Sequence, residues 1–273
     1  MSEYRVRDLY VYPLKSAAGV RVDAAEVDAL GLAGDRRWMV VDATGRSLSQ
    51  RELPRMALLR AQARPGELLL EAPDMPALVV ETPSAGPRGE VRVWRDRCEA
   101  VVADPDASRW LCEFLEYDCQ LVYRADGGVR SVDATYARRP AWVGFADAFP
   151  MLLISQGSLD DLNARLAANG QPTVPMNRFR PNLVVEGAPA YAEDDWRQLA
   201  VGPPGSAIPL DVVKPCARCS IVPVDQATGI RGTEPLRTLA TYRRRNGKVY
   251  FGQNVIHRAS GTIRVGDSVR VMT

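Results

Sequence analysis

Gly31-Leu-Ala-Gly-Asp-Arg-Arg-Trp-Met-Val-Val-Asp-Ala-Thr-Gly45 places the apolar run Trp38-Met-Val-Val41 between turn-forming glycines. A run this short, rich in β-branched and aromatic residues and closed by glycine on both sides, reads as a strand over residues 37–41. The same punctuation recurs on either side of it. Residues 5–11, 20–27, 68–70, 78–81 and 91–94 are short apolar stretches. Pro13, Pro65-Gly66, Pro83 and Gly86-Pro87 separate them. Many short strands cut by Gly and Pro predict a barrel or a sandwich.

Residues 108–117 break the pattern. Trp110, Leu111, Phe114 and Leu115 share one helical face there. The polar, glycine-containing stretch 125–139 reads as a linker, which gives two domains, 1–124 and 125–273. In the second half, Leu159, Leu162 and Leu166 mark a helix, with Ser158 and Asp161 spaced as a capping box and Gly170 at its end. Residues 182–185, 198–201 and 210–213 read as strands. Glu234-Pro235 opens a short helix. Residues 248–251 and 263–271 close the chain as strands, with Gly266-Asp267 as a hairpin turn.

Composition narrows the function classes. The 273 residues are 46% hydrophobic and 25% charged, ordinary for a globular protein. Lys and Arg number 35 against 33 Asp and Glu, a net charge of +2. That balance gives no case for a nucleic-acid partner, and Arg243-Arg244-Arg245 reads as a solvated helix end. Apolar stretches such as 151–154 fall far short of the ~20 residues of a membrane span, and the N-terminus lacks the apolar run of a signal peptide. No membrane partner and a cytoplasmic location are therefore expected. Five cysteines cannot all pair, and in a reducing compartment they serve more often as core residues, metal ligands or thiols. A single histidine, His257, leaves serine–histidine hydrolysis and histidine-rich zinc sites resting on one residue.

The sharpest local feature is Lys214-Pro-Cys-Ala-Arg-Cys219. Its C-x-x-C pair admits three readings. A zinc site needs two more ligands from Cys98, Cys112, Cys119 and His257. A dithiol redox pair needs a helix N-terminus to lower the thiol pKa, and the strand-like Ser220-Ile-Val-Pro-Val-Asp225 follows instead. A single exposed thiolate can also bind a soft or high-valent metal whose other ligands belong to a cofactor. Arg218 beside Cys219, and Lys214 nearby, would favour that thiolate. Groups able to hold an anionic cofactor are present: Lys15-Ser16 after a strand, Arg36, and Arg180 between Phe179 and Pro181. A partly buried arginine needs an anionic partner. Spacing alone does not make these residues converge.

The ordered set of motifs resembles one family. The set begins with Tyr12-Pro-Leu-Lys15-Ser16, Gly31-Leu-Ala-Gly-Asp35-Arg36-Arg-Trp38 and Leu48-Ser-Gln-Arg51. It continues with Asp147-Ala-Phe-Pro-Met-Leu-Leu-Ile-Ser155, Arg178-Phe-Arg180-Pro-Asn182 and Tyr191-Ala-Glu193-Asp194-Asp195-Trp196. Cys216-Ala-Arg-Cys219, Glu234-Pro235-Leu236, Phe251-Gly-Gln-Asn254 and Gly261-Thr-Ile-Arg-Val-Gly266-Asp267 complete it. They cover nearly the whole chain and resemble the MOSC superfamily, in the branch of the mitochondrial amidoxime-reducing component and its bacterial relatives.

The resemblance implies a mainly β fold with a few helices: an N-terminal β-barrel-like domain, then a MOSC-type β-barrel. It implies the molybdenum cofactor, a pterin dithiolene carrying molybdenum. Cys219 matches the catalytic metal ligand, and Cys216 its neighbour. Lys15, Ser16, Arg36 and Arg180 match positions holding the cofactor's phosphate and pterin. Asp147, Ala148, Phe149, Ala217, Arg218 and Asn254 match further cofactor contacts. Two departures stand out. Asn254 replaces a tyrosine of the mitochondrial form, and Ala148 and Phe149 replace hydroxyl residues, which puts side-chain contacts there in doubt. Pyridoxal phosphate binding is a family-level association to which no residue here is assigned.

The activity implied is reduction of small N-hydroxylated compounds, with Asp147 and Asp194 as candidates for proton handling or structural caps. The alternative is a carrier delivering the cofactor or sulfur to another enzyme. Some relatives carry a fused ferredoxin domain. Here Val269-Arg-Val-Met-Thr273 follows the last turn, so electrons are expected from a separate ferredoxin- or cytochrome b5-like protein with its reductase.

Overall fold

The computed structural model describes residues 4–124, 128 and 130–272. Seven strands form a closed barrel. They are β1 (Tyr4–Val11), β2 (Met151–Ser155), β3 (Leu183–Glu186), β4 (Gln198–Val201), β5 (Ile208–Ala217), β6 (Lys248–His257) and β7 (Ser268–Met272). Their order is β2-β3-β1-β7-β4-β5-β6, and β6 pairs back to β2. Period-two alternation explains the closure. Leu9, Leu153, Leu183, Val185, Leu199, Leu210, Val255 and Val269 fill the interior. Ile154, Val184 and Phe251, on the opposite face of their strands, pack outward beneath α2 (Gln156–Ala168) and α3 (Leu236–Tyr242). Strands covered on both faces account for the unbroken apolar runs Met151–Ile154 and Leu183–Val185.

One crossing inside this wall is tight. Gly252 has φ +78°, and a Cβ there would lie 2.6 Å from Ile154 Cγ1 and 2.9 Å from the Leu153 carbonyl oxygen. Backbone cannot yield as a flexible side chain can. Gly252→Ala is expected to destabilise the fold by about 1–3 kcal/mol, seen as a lower urea midpoint at unchanged m.

Residues 38–124 build the other half. Strands run in the order Trp38–Val41, Gln120–Arg124, Asp96–Val102 and Arg88–Val93, and a second sheet holds Arg60–Arg64, Glu67–Glu71 and Leu78–Glu81. Helix α1 (Pro105–Leu115) buries Trp110, Leu111 and Phe114 with Leu48, Leu59 and Leu70.

Several expectations move. Helix α1 starts at Pro105, not 108, because Asp104 caps it by accepting from the Asp106 N–H, and Glu116 in the left-handed region ends it. Ser155, not Ser158, caps α2 and accepts from the Ser158 N–H. Residues 20–27 divide into Val20–Val22, paired with β1, and Ala24–Asp28, paired with Gly261–Arg264. Gly266-Asp267 is no hairpin: Gly261–Arg264 pairs with Ala24–Asp28, while β7 pairs with β1 and β4. Within the expected linker, Arg130–Ser131 pairs with Trp142–Val143, and residues 125–127 and 129 lie outside the described residues. No helix among the described residues is long and apolar enough to cross a membrane.

Candidate cofactor site

Tyr12, the first residue after β1, organises the site. It is fully buried, and its hydroxyl donates to the Pro181 carbonyl at 2.9 Å. The guanidinium carbons of Arg36 and Arg180 lie 4.2 and 4.4 Å from its ring centroid. Arg36 donates to Asp35 Oδ2 at 2.6 Å and to Asn182 Oδ1 at 3.0 Å. Arg180 donates to the Ala17 carbonyl at 2.5 Å. Burial lowers the Arg180 pKa to about 10, with Arg36 adding to the lowering and Tyr12 opposing it. Lys15 is buried and donates to the Phe145 carbonyl at 2.8 Å and to Asp147. Two of the anchors that the sequence could not bring together, Arg36 and Arg180, thus meet on one ring, and Lys15 is tied to Asp147 beside them.

The loop 144–147 supplies Asp147 and is itself clamped. Buried Arg130 donates to the carbonyls of Gly144, Ala146 and Asp147, and to Asp96. Burial acts to raise the Asp147 pKa, but Lys15, Arg51 and the Trp94 indole outweigh it and hold the carboxyl well below the ordinary range. A depressed carboxylate contributes stability that is present above its unfolded pKa of about 4 and lost as pH falls through the folded value. The stability gap between wild type and Asp147→Asn at pH 7 is therefore expected to close below pH ~4, measured by thermal melts across pH. Because the side chain is half-exposed, solvent screening keeps that gap to about 1 kcal/mol or less.

Cys216 lies at the end of β5 and Cys219 just after it. Arg218 N–H donates to the Val249 carbonyl and Cys219 C=O accepts from Val222 N–H, so a turn and not a helix follows Cys219. The helix that a dithiol redox pair would use is missing at this position. No cluster of three or more His, Cys, Asp or Glu able to hold a metal occurs among the described residues, which removes support for the zinc reading. Cys216 accepts from Arg218 Nη1 at 3.1 Å, and Arg218 Nη2 donates to the Phe179 carbonyl at 2.7 Å. Cys219 accepts from Arg51 Nη2 at 3.4 Å. Arg51 also lies 3.7 Å from Asp147 Oδ2 and 4.4 Å from the Trp94 ring centroid.

The remaining candidates sit at the edges. Asn254 on β6 donates to the Lys214 carbonyl at 3.1 Å. Ala217 is the exposed last residue of β5. Ala148 is exposed, while Phe149 packs edge-on against Tyr136. Asp194 accepts from Gln253 and Arg243, which makes it a structural tie between an irregular segment and β6. Sequence reasoning missed Tyr12, Arg51 and Trp94 as site residues. Tyr12 and Arg51 stood inside quoted motifs, but nothing in those motifs showed that one side chain would hold two arginines and the other would reach Cys219.

Two further observations mark the region. Ser16, Arg36, Arg180 and Trp94 all have positive φ without being glycine, at 68°, 46°, 56° and 57°. Strained backbone gathered at one place is characteristic of sites that fix side-chain direction. Cations also exceed carboxylates. Asp147 pairs with Lys15 and Arg51 and Asp35 pairs with Arg36, while Arg180 and Arg218 are bonded to the Ala17 and Phe179 carbonyls and Arg218 Nε is buried without a hydrogen-bond partner. Surplus guanidinium donors suit a phosphorylated ligand, and a partly exposed thiolate suits molybdenum. The residues present fit the molybdenum cofactor.

The MOSC N-terminal beta barrel domain matches residues 3–118 and the MOSC domain matches residues 140–270. The chain is 34% identical to mitochondrial amidoxime-reducing component 1 of Mus musculus, over 98% of this chain and 82% of that protein. It is 32% identical to the Homo sapiens mitochondrial amidoxime-reducing component 1 over the same shares. It is also 32% identical to molybdenum cofactor sulfurase of Oryza sativa subsp. japonica, over 92% of this chain and 32% of that longer protein. A closed barrel built from both ends of the chain agrees with full-length similarity to these proteins: the chain belongs to the MOSC-domain family, with a MOSC N-terminal β-barrel domain ahead of the MOSC domain.

Proposed function

We propose that this protein binds the molybdenum cofactor through Cys219 and reduces N-hydroxylated compounds with electrons from a separate protein. The observation that carries this reading is the meeting of a partly exposed Cys219 thiol, held by Arg51, with the cation surplus around Tyr12. Lys15, Arg36, Arg180 and Arg218 would hold the phosphate and pterin by charge-assisted hydrogen bonds. Ser16 and the backbone near Ala217 and Asp147 would add polar contacts. When bound, the cofactor supplies a two-electron redox centre for cleaving an N–O bond.

Reduction of an amidoxime to its amidine consumes two electrons and two protons and releases water. Asp147, held ionised by Lys15 and Arg51, orients those cations rather than donating a proton at neutral pH. Arg51 places a positive charge 3.4 Å from the Cys219 sulfur. Division at about residue 125 and a cytoplasmic location belong to the same proposal.

The deciding experiment is metal analysis of protein made in cofactor-competent cells, with benzamidoxime turnover under a chemical electron donor. Near-stoichiometric molybdenum with turnover supports the reading. The similarity to molybdenum cofactor sulfurases favours, as second reading, a carrier of the cofactor or of sulfur on Cys219. Molybdenum without turnover selects the carrier, and a wild type free of molybdenum sinks both.

A further inference from the structure

Trp94 is anomalous twice. It is 55% exposed, among the most exposed large apolar side chains of the described residues. It also opens the two-residue turn between the paired residues Val93 and Asp96 with φ 57°, in the left-handed region where such hairpins ordinarily place glycine or asparagine. A bulky residue in that conformation is strained, and solvent exposure offers no packing to offset it. What surrounds the indole is the candidate site itself. Its N–H, the ring's only donor, lies near enough to Asp147 to help hold that carboxyl's pKa down. One face lies under the Arg51 guanidinium, whose other nitrogen contacts Cys219. One face is covered and over half of the residue is open; among the described residues no other ring or cation lies on the indole, which sits one side chain away from the proposed metal ligand.

We propose that Trp94 is the aromatic platform of the substrate mouth, stacking planar conjugated N-hydroxylated substrates so that their N–O group approaches Cys219. This rests on the reductase reading above. The contacts of the indole hold it ready for such stacking. Arg51 backs the ring and is itself tied to Cys219 and Asp147, and Asp147 to Lys15. An exposed π-face selects for flat, conjugated ligands and gives a small aliphatic substrate little to hold.

The experiment uses the cofactor-loaded protein and two substrates, benzamidoxime and acetamidoxime, with benzamidine and acetamidine as ligands that cannot be reduced. In Trp94→Leu and Trp94→Ala, the ratio of kcat/KM for benzamidoxime over acetamidoxime is expected to fall about 2- to 12-fold, the worth of one aromatic contact. The Kd for benzamidine, measured by calorimetry, is expected to rise by the same factor, and that for acetamidine to stay within about twofold. Trp94→Phe, which keeps a π-face and loses the N–H near Asp147, is expected to retain most of the preference. Equal losses for both ligands, or a Phe variant that behaves like Leu, would overturn the platform, since either result assigns Trp94 a purely structural role. Should Ala disturb Arg51, the Leu–Phe comparison still decides. The two readings fail separately. Benzamidine binding that depends on Trp94 in a protein without turnover keeps the platform and removes the reductase. Turnover indifferent to residue 94 does the reverse.

Discussion

Cys219→Ala is expected to leave a folded protein that has lost its molybdenum and at least about a hundredfold of any benzamidoxime reduction. Replacing only the outer partners of metal ligands commonly costs 10- to 100-fold in affinity or activity, so removal of the protein's own ligand sets a larger effect. The fold should tolerate the change. Cys219 lies in a turn after β5, is partly exposed, and belongs to none of the hydrophobic clusters. Surface replacements of this kind stay within about 0.5 kcal/mol, so thermal melts of wild type and variant without cofactor should coincide. Cys216→Ala is the contrasting variant. Its sulfur accepts only from Arg218 and from no group near Asp147, so a loss below tenfold in metal content is expected. Equal loss in the two variants would mean that both sulfurs bind the metal, and the single-thiolate arrangement would be wrong.

Tyr12→Ala is expected to be the most damaging single change to stability, about 3–5 kcal/mol by denaturant unfolding, the range for deleting a buried aromatic ring. The ring is 1% exposed. A Cβ on Gly19 would come within 2.5 Å of its Cε1, so the surrounding chain is already moulded to it. Its loss also removes the surface on which Arg36 and Arg180 lie, leaving two like charges without their shared π-face. Tyr12→Phe isolates the hydroxyl. It leaves the Pro181 carbonyl without its donor at a cost of about 1–2 kcal/mol, while the arginines keep their ring. A Phe variant as unstable as the Ala variant would show that the hydroxyl, not the ring, holds the junction.

Much of this was legible in the sequence, and the illegible part has a common physical cause. Strand identity lies in local alternation and punctuation, so the stretches at 5–11, 37–41 and 198–201 could be read. Pairing is not local. Nothing in Gly261–Asp267 says that its first strand will pair with Ala24–Asp28 while β7 seeks β1 and β4, and the apparent hairpin came from a turn signal that served a different path. The anchors Lys15, Ser16, Arg36 and Arg180 were identified through motif order. The meeting of Arg36 and Arg180 on Tyr12 follows from three-dimensional closure. Arg51 escaped because an arginine's role depends on what lies within 4 Å of its tip, and Cys219 is 168 positions away. Trp94 was read as the end of a strand over 91–94, but the strand ends at Val93 and Trp94 sits exposed in the turn that follows.

The barrel's closing order has a consequence during synthesis. β1 leaves the ribosome first, yet its two barrel neighbours, β3 and β7, are residues 183–186 and 268–272. At translation rates of about 5–20 residues per second, the first strand waits on the order of tens of seconds before its last neighbour exists. The N-terminal sheets can assemble meanwhile from contiguous sequence, and Val20–Val22 can cover the end of β1 early, but the rest of β1 stays unpaired and open to mispairing until β3 and β7 are made. Lys15 and Ser16 wait with it, and Cys219 reaches them late. Capture of a cofactor at this junction would therefore require a chain made at least through β7, and a chain interrupted before it would have no closed barrel to hold one.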